Sequence, residues 1–505
     1  MILAFDLGTG GAKVCLFEDS GRLVDKAFMP YATSYPSSRF HVQDPQDWWY
    51  AIVEGTRLLC REHPDRAKAI KAIAISGQSL TVIPLDRKGR IVFDDIPIWS
   101  DTRPIEQTAR FFSVIDQEEW YTSTGNGFTP ECYSLFKMMW YKDTYPDMFS
   151  SVDRILGSKD YINFLLTGEF ATDYSYASGL GSYSLEKREY IDEYLCAADI
   201  SRTLLPEPIA STERIGCLCP EAATALGLSR DVDVYCGGVD NSCMALGSRN
   251  VVDGRQYLSL GSSAWIAVSS EKPLVDSKIK PFVFDHVIPN MYTSATSIFS
   301  AGNSLRWFRD TLAGNAVTEG GLRKVDPYVV IDQAAEMSRI GSNGVIFNPT
   351  LAGAPASSDY PNITGALLNV TLGTTFSDIA RSVLEGVTFE LYDMYRKLQK
   401  LTSLSGNLVL VGGGSKSPFW RQMFADVFDV QVSQLSADQD AAALGAAATA
   451  AVGAGFWSSF EHIDDLVQEI GIVVPDKSRT DRYRQAFETY RKTRYKLSEI
   501  EFFDA

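Results

Sequence analysis

The sequence runs to 505 residues, 45% of them apolar, with a formal net charge of −16. That length exceeds one ordinary domain and supplies apolar surface for two packed cores, while the acidic balance, with no basic patch, excludes nucleic acid and anionic membrane as partners. No stretch approaches 18 uncharged apolar residues and Met1 leads straight into Ile-Leu-Ala-Phe-Asp without a basic leader, so the expectation is a cytoplasmic protein that handles small molecules.

The first stretch, Met1 to Phe17, reads as a hairpin: an apolar strand from Ile2, a glycine-rich turn, and an apolar return from Val14. Backbone N–H groups of such a turn favour phosphate, which makes Gly8, Thr9, Gly10 and Lys13 candidate phosphate contacts. Asp6 has the wrong sign to touch phosphate directly and suits a Mg²⁺ ion bridging to it. A Walker motif is excluded because Lys13 follows Ala12 and precedes Val14, and the dinucleotide GxGxxG is excluded because Lys13 takes the place of the last glycine. The alternative at this point is an ordinary glycine hairpin with a surface Asp.

A near-echo follows at mid-chain, where Tyr257 to Val268 repeats strand, Leu-Gly-Ser turn and strand. Aligning Leu7 with Leu260 gives an offset of 253 residues, about half the chain, so two like domains would bring two hydroxyl-bearing turns onto one nucleotide triphosphate. Ser259 stands where the first copy has Asp6, so only one half seats a metal.

In chain order, Gly21 to Pro30 reads as turn and strand. Asp44 caps a helix with Pro45 at its first position, and Trp48 and Trp49 are assigned to the core. A buried strand over Ile70 to Ser76 ends at Gln78, a candidate sugar contact because open α/β sheets place ligands at strand carboxyl ends. Ser100 or Asp101 is expected to cap a helix through Ala109, with Asp101 either pairing with Arg103 or meeting a ligand. Lys159 to Gly168 reads as a helix closed by glycine, and Thr172 to Gly179 as a polar loop. Asp231 to Gly237 is a strand delivering Asp240 and Asn241. Asp240 is either a base aimed at the cleft or a helix N-cap, and the glycines before it are unneeded by a cap.

In the second half a helix begins near Gly302, with Arg306 on its first turns. Leu408 to Trp420 gives strand, glycine loop and helix, with Pro418 in the first turn. Gly412 to Gly414 let a flat ring lie on backbone, so adenine or ribose suits the loop. The small-residue helix Ala441 to Ala451 is expected to pack against that loop, and Arg479 to Ile500 to close the surface as an amphipathic helix. Eight scattered cysteines, with Cys217 and Cys219 the one close pair and no CxxC spacing, read as free buried thiols.

Taken together these pieces resemble the FGGY carbohydrate kinases, and within them most resemble the xylulokinases and their pentulokinase relatives. The matching segments, in the family's order, are Asp6-Leu-Gly-Thr-Gly, Gln43-Asp-Pro-Gln-Asp-Trp-Trp, Ser76-Gly-Gln78, Trp99-Ser-Asp101-Thr-Arg103, Ser134-Leu-Phe-Lys137, Lys159-Asp160-Tyr, Gly237-Gly-Val-Asp240-Asn241, Leu260-Gly-Ser-Ser263, Gly412-Gly-Gly-Ser and the Ala-Leu-Gly-Ala-Ala helix at Leu444. The resemblance implies an α/β chain of two ribonuclease-H-like domains of the actin and sugar-kinase superfold, 1–247 binding sugar and carrying the base, 248–505 binding nucleotide, around a closing cleft. It implies ATP and Mg²⁺ as cofactors and allows a homodimer. By residue it makes Asp240 the general base, Asp6 the Mg²⁺-linked carboxylate, Thr9, Gly261 and Ser262 phosphate contacts, Gly302 and Arg306 cleft contacts near the nucleotide, and Gly413, Gly414 and Ser417 the adenosine site. Gln78, Ser79, Asp101 and Asn241 would meet the sugar.

Departures concern the substrate. Ser79-Leu80 stands where xylulokinases carry Met-His, Ser100 where they show Asn, and Gly353-Ala-Pro355 where the family has Gly-Glu-Arg. The expected reaction is phosphorylation of a primary hydroxyl of a small sugar, a ketopentose such as xylulose, with gluconate, pentitol or glycerol-like acceptors as alternatives. A nucleotide-switch protein of the same superfold is the rival of a different class, disfavoured by the polar groups Gln78, Asp101 and Asn241.

Overall fold

The computed structural model describes residues 1–353, 360 and 363–500. Its contacts divide the chain into two compact units, the first made of Met1–Asp253, Ser269–Ser294 and Asp440–Val467, the second of Gly254–Val268, Ala295–Gln439 and the chain from Gln468. Asp440–Val467, assigned from sequence to the second half, groups with the first unit.

In the first unit a mixed sheet runs in the order Arg214–Cys217, Asp233–Tyr235, Ala72–Gly77, Ile2–Gly8, Gly11–Phe17, Leu23–Pro30, with Gly238–Val239 also paired to Ala72–Gly77. Ile2 to Phe5 and Ala72 to Ile75 are fully buried, as strands covered on both faces must be. The register puts Asp6 opposite Lys13 on the returning strand and opposite Ser76 on the parallel one, and puts Gly238 opposite Ser76. Asp6, Ser76 and the approach to Asp240 therefore meet at the carboxyl edge of adjacent strands.

The helix Pro45–Glu62 starts as expected, with the Asp44 side chain accepting from Gln46 N. Trp48 is fully buried, while Trp49 is only partly so. Helix Ser158–Thr167 closes at Gly168 in the left-handed region. Thr172 to Gly179, read as a loop, holds instead the short strand Thr172–Asp173 and the helical turn Tyr174–Ala177, because the Asp173 side chain caps that turn. The expected cap at Ser100 or Asp101 is not formed: the helix begins at Ile105, after Pro104. Cys15, Cys236 and Cys243 are buried, but Cys196 and Cys217 are exposed.

The small-residue helix Ala441–Gly453 also differs from expectation. It packs not on the glycine loop but on the helix Asp240–Gly247 and on the strands Ile2–Gly8 and Ala72–Gly77. The approach requires glycine on both helices, since a Cβ on Gly445 would lie 1.9 Å from the Cys243 carbonyl oxygen and one on Gly247 1.8 Å from that of Ala441.

In the second unit the strands Gln256–Leu260 and Ala264–Ser270 form the repeated hairpin, and Gln256–Leu260 pairs in parallel with Asn407–Val411, as Ile2–Gly8 does with Ala72–Gly77. Gln431–Leu435 and Glu469–Val473 extend the sheet. The long helix Phe376–Leu398 begins with a capping box between Thr375 and Asp378. Gly302–Thr311, Pro418–Phe428 and Lys477–Ser498 are helices where the sequence placed them.

Candidate active site

The turn of the first hairpin is tied back at every carbonyl. Tyr31 OH donates to Gly8 O, Gln43 Nε2 donates to Thr9 O at 2.7 Å, and Tyr31 N donates to Gly10 O at 3.4 Å. No turn carbonyl is thereby left unoccupied to repel a phosphate. The Trp99 indole donates to Thr9 Oγ1 at 3.0 Å, so the Thr9 hydroxyl is left its own proton to give.

Asp6 accepts from Ser76 Oγ at 3.2 Å. Burial raises its pKa, against the pull of Lys13, whose Nζ lies 3.9 Å from Asp6 Oδ2. Lys13 Nζ also lies 3.4 Å from Asp440 Oδ1, and Lys26 Nζ 2.6 Å from Asp440 Oδ2. Lys13, expected as a phosphate contact, is thus seated between two carboxylates. Asp440 was not singled out from the sequence: it precedes a small-residue helix, and nothing local links it to a lysine at the other end of the chain.

Asp240 is the first residue of the helix Asp240–Gly247, whose N-cap is Val239 without a side-chain cap bond. Its Oδ1 accepts from the adjacent Asn241 N at 2.8 Å. The N-cap alternative therefore falls. Burial and then the charge of Asp6 push the Asp240 carboxyl up to about 7, placing a proton acceptor in the neutral range. A partly buried carboxylate whose charge raises the proton affinity of a second one is a donor that a divalent cation relieves. Such a donor suits a Mg²⁺ that keeps most of its water.

Beneath this edge, Lys159 Nζ sits 2.6 Å from Asp160 Oδ1 and 2.9 Å from Asp173 Oδ1, all three side chains buried. Asp173 accepts from Ser175 Oγ and Ser211 Oγ, and Ser175 Oγ accepts from Val239 N at 2.9 Å. The backbone that presents Asp240 is held by that network.

Gln78 and Ser79 are buried at the end of the strand Ala72–Gly77, and Leu80 after them takes a positive φ of 61°. Ser158 Oγ and Tyr176 OH both donate to the Gln78 carbonyl. Asp101 is fully buried and forms the expected pair with Arg103, at 2.6 Å, while Oδ2 also accepts from His41 N. Both its oxygens are occupied, and the Arg103 guanidinium stacks on Phe40 and Trp140. Asn241 is partly buried beside Asp240. Ala354 and Pro355, part of the departure at Gly353, lie outside the described residues.

In the second unit Gly261, Ser262, Gly302, Arg306, Gly413, Gly414 and Ser417 all line one cavity of about 670 Å³, a size that suits a nucleoside. Gly302 N donates to Gly261 O at 2.9 Å, and a Cβ on Gly302 would lie 2.3 Å from that oxygen. Arg306 Nη2 reaches Ser262 Oγ at 3.4 Å. Tyr328 and Asp332, unforeseen from sequence, share the cavity; burial pushes Asp332 up to about 6 against a hydrogen bond from Ser417.

These features define a two-unit α/β protein with a pair of partly buried carboxylates at a strand edge and a nucleoside-sized cavity. The profile of the FGGY family of carbohydrate kinases, N-terminal domain, matches residues 1–247, and that of its C-terminal domain matches 256–454. The chain is 30% identical over 495 residues to the xylulose kinase of Escherichia coli (strain K12), covering 97% of this chain and 98% of that one. It is 26% identical over 485 residues to the gluconokinase of Bacillus licheniformis, covering 96% and 93%. Among solved structures, the xyloylose kinase from Brucella ovis superposes with a TM-score of 0.88 at 26% identity, over 99% of both chains. The chain belongs to the FGGY family of carbohydrate kinases, and it is an ATP-dependent sugar kinase.

Proposed function

We propose that this kinase transfers the γ-phosphoryl group of ATP to a primary hydroxyl of a small sugar, with a ketopentose such as xylulose as acceptor and Mg²⁺ as cofactor. The observation that carries the reading is Asp240, which caps no helix and whose carboxyl is tuned to about 7 beside Asp6. Phosphoryl transfer asks the protein for in-line positioning, charge neutralisation and removal of one proton. Asp240 accepts the hydroxyl proton of the sugar. Thr9, with its free O–H, suits a phosphate oxygen in the first unit, and Gly261 and Ser262 suit one in the second. Gly413, Gly414 and Ser417 cradle adenosine. Mg²⁺ held through Asp6 would neutralise phosphate charge, leaving Asp240 to take the proton. Gln78, Ser79 and Asn241 contact the sugar, and Asp101 shapes its pocket through Arg103. The reading places the enzyme in the cytoplasm, where ATP is available.

Other acceptors, sugar acids such as gluconate or sugar alcohols such as pentitols, are favoured by Ser79-Leu80 in place of Met-His at the strand end. A coupled ADP-release assay over ketopentoses, aldonates and pentitols decides between them. A ketopentose turned over at the highest kcat/KM supports the first reading, and an aldonate or pentitol at the top overturns it.

A further inference from the structure

Gln43 opens the segment Gln43-Asp-Pro-Gln-Asp-Trp-Trp, and the kinase reading gives it no task. Yet it is 3% exposed and makes four hydrogen bonds. Its Oε1 accepts from Trp48 Nε1 at 3.0 Å and from Gln78 Nε2 at 2.8 Å. Its Nε2 donates to Thr9 O at 2.7 Å and to Thr33 Oγ1 at 2.7 Å.

The two ends of an amide are ordinarily told apart only by their partners. Here the partners are decisive. An indole nitrogen only donates and a backbone carbonyl only accepts, so Trp48 fixes the oxygen end of Gln43 and Thr9 fixes its nitrogen end. Gln78 must then turn its NH₂ toward Gln43, which leaves Gln78 Oε1 facing away. That oxygen is buried and receives no hydrogen bond from any described residue.

We propose that Gln43 is a positioning residue with two effects: it forces Gln78 to present an acceptor to the sugar, and it ties that acceptor to the carbonyl of the phosphate turn. The proposal rests on the reading of Gln78 as a sugar contact. It specifies the substrate further: the group opposite Gln78 is a hydroxyl that donates, since a carbonyl or carboxylate oxygen there would meet another lone pair. Trp48, in the core and remote in role from chemistry, sets this polarity together with the Thr9 carbonyl.

The test is a steady-state comparison of three variants of the full chain, with the best sugar from the panel above and with ATP. Trp48→Phe keeps most of the ring bulk and deletes the N–H, removing one of the two anchors that, with the Thr9 carbonyl, hold the Gln43 amide in one orientation. The sugar KM rises about tenfold, as loss of one hydrogen-bond preference implies, and the ATP KM stays in place. Gln43→Glu keeps an oxygen toward Trp48 and Gln78 but sets a second one against Thr9 O. Its effect falls on the ATP KM and on kcat, and it lessens below about pH 5, where a carboxyl can regain its proton. Gln78→Ala is the control and raises the sugar KM. If Gln78→Ala raises it but Trp48→Phe and Gln43→Glu leave both KM values unchanged, the relay is overturned while the sugar site stands. If Gln78→Ala changes nothing, the sugar-site reading fails and takes the relay with it. Thermal melts identify a variant lost to misfolding, and the KM split in the remaining one still decides.

Discussion

Lys159 Nζ lies 2.9 Å from Asp173 Oδ1 in a part of the first unit where neither side chain is exposed. Through Ser175 the same aspartate holds Val239 N, one residue before the proposed base. Lys159→Met should destabilise the fold by about 3–5 kcal/mol, because it strands Asp160 and Asp173 without their shared cation. Chemical denaturation measures this, and a loss below about 1 kcal/mol would show that the buried carboxylates are satisfied by their hydroxyl donors alone.

Asp240→Asn keeps the size of the side chain and removes the proton acceptor. Turnover should fall about 10²- to 10⁴-fold with ATP binding preserved, the range for a lost general base. Near-normal turnover would remove Asp240 from the chemistry.

The pH dependence follows from the Asp240 carboxyl at about 7. A base must be unprotonated, so kcat/KM for the sugar should rise with pH through about 7, and added Mg²⁺ should move that limb to lower pH. For stability the sign is opposite. Between about 4 and 7 the folded state keeps a proton that the unfolded state has released, so stability declines as pH rises through this window. Asp240→Asn removes that cost. Its melting temperature should exceed the wild type's at about pH 8 and match it at about pH 4; equal melting temperatures at both would contradict the buried, charge-coupled setting of the group.

Asp6→Asn should abolish most turnover together with its Mg²⁺ dependence, since an amide anchors a hydrated divalent ion poorly. Asp440→Asn tests the neighbouring link. Removing one of the two carboxylates on Lys13 concentrates that cation on Asp6, so the half-saturating Mg²⁺ concentration should rise. An unchanged Mg²⁺ titration would leave Asp440 a purely structural partner.

Replacing Ser79 and Leu80 by Met and His should change the order of preference among sugars and leave the ATP KM alone. Because Leu80 sits at a positive φ, a single Leu80→Gly variant separates relief of strain from change of contact. An unaltered substrate profile in the double variant would put the specificity pocket elsewhere.

The parts of the molecule that were legible in advance are those whose cause is local. The first hairpin, the glycine stop after Thr167 and the loop from Gly412 announce themselves through neighbours a few residues apart. Clustering of seven second-half candidates in one cavity followed because each sits at an end of a strand or helix that the pattern had located. What stayed hidden was tertiary. The Asp101 pair with Arg103 was among the expected outcomes, but not that Pro104 makes the helix start later or that His41 N, brought from a distant segment, closes the carboxylate. Asp440 and Gln43 show their roles only once the chain brings them to Lys13 and to Gln78. The partner of the helix Ala441–Gly453 was misjudged because small residues announce close packing without saying against what.

That helix has a consequence for how the chain is made. The strands Ile2–Gly8 and Ala72–Gly77 leave the ribosome early, but one of the elements packed on them is encoded beyond residue 440. Synthesis must pass through nearly the whole second unit before the first can close its core, so the early strands wait with an uncovered apolar face. An isolated fragment ending at Asp253 should therefore aggregate, and rescue in trans should need both 269–294 and 440–467, the late segments that complete its core.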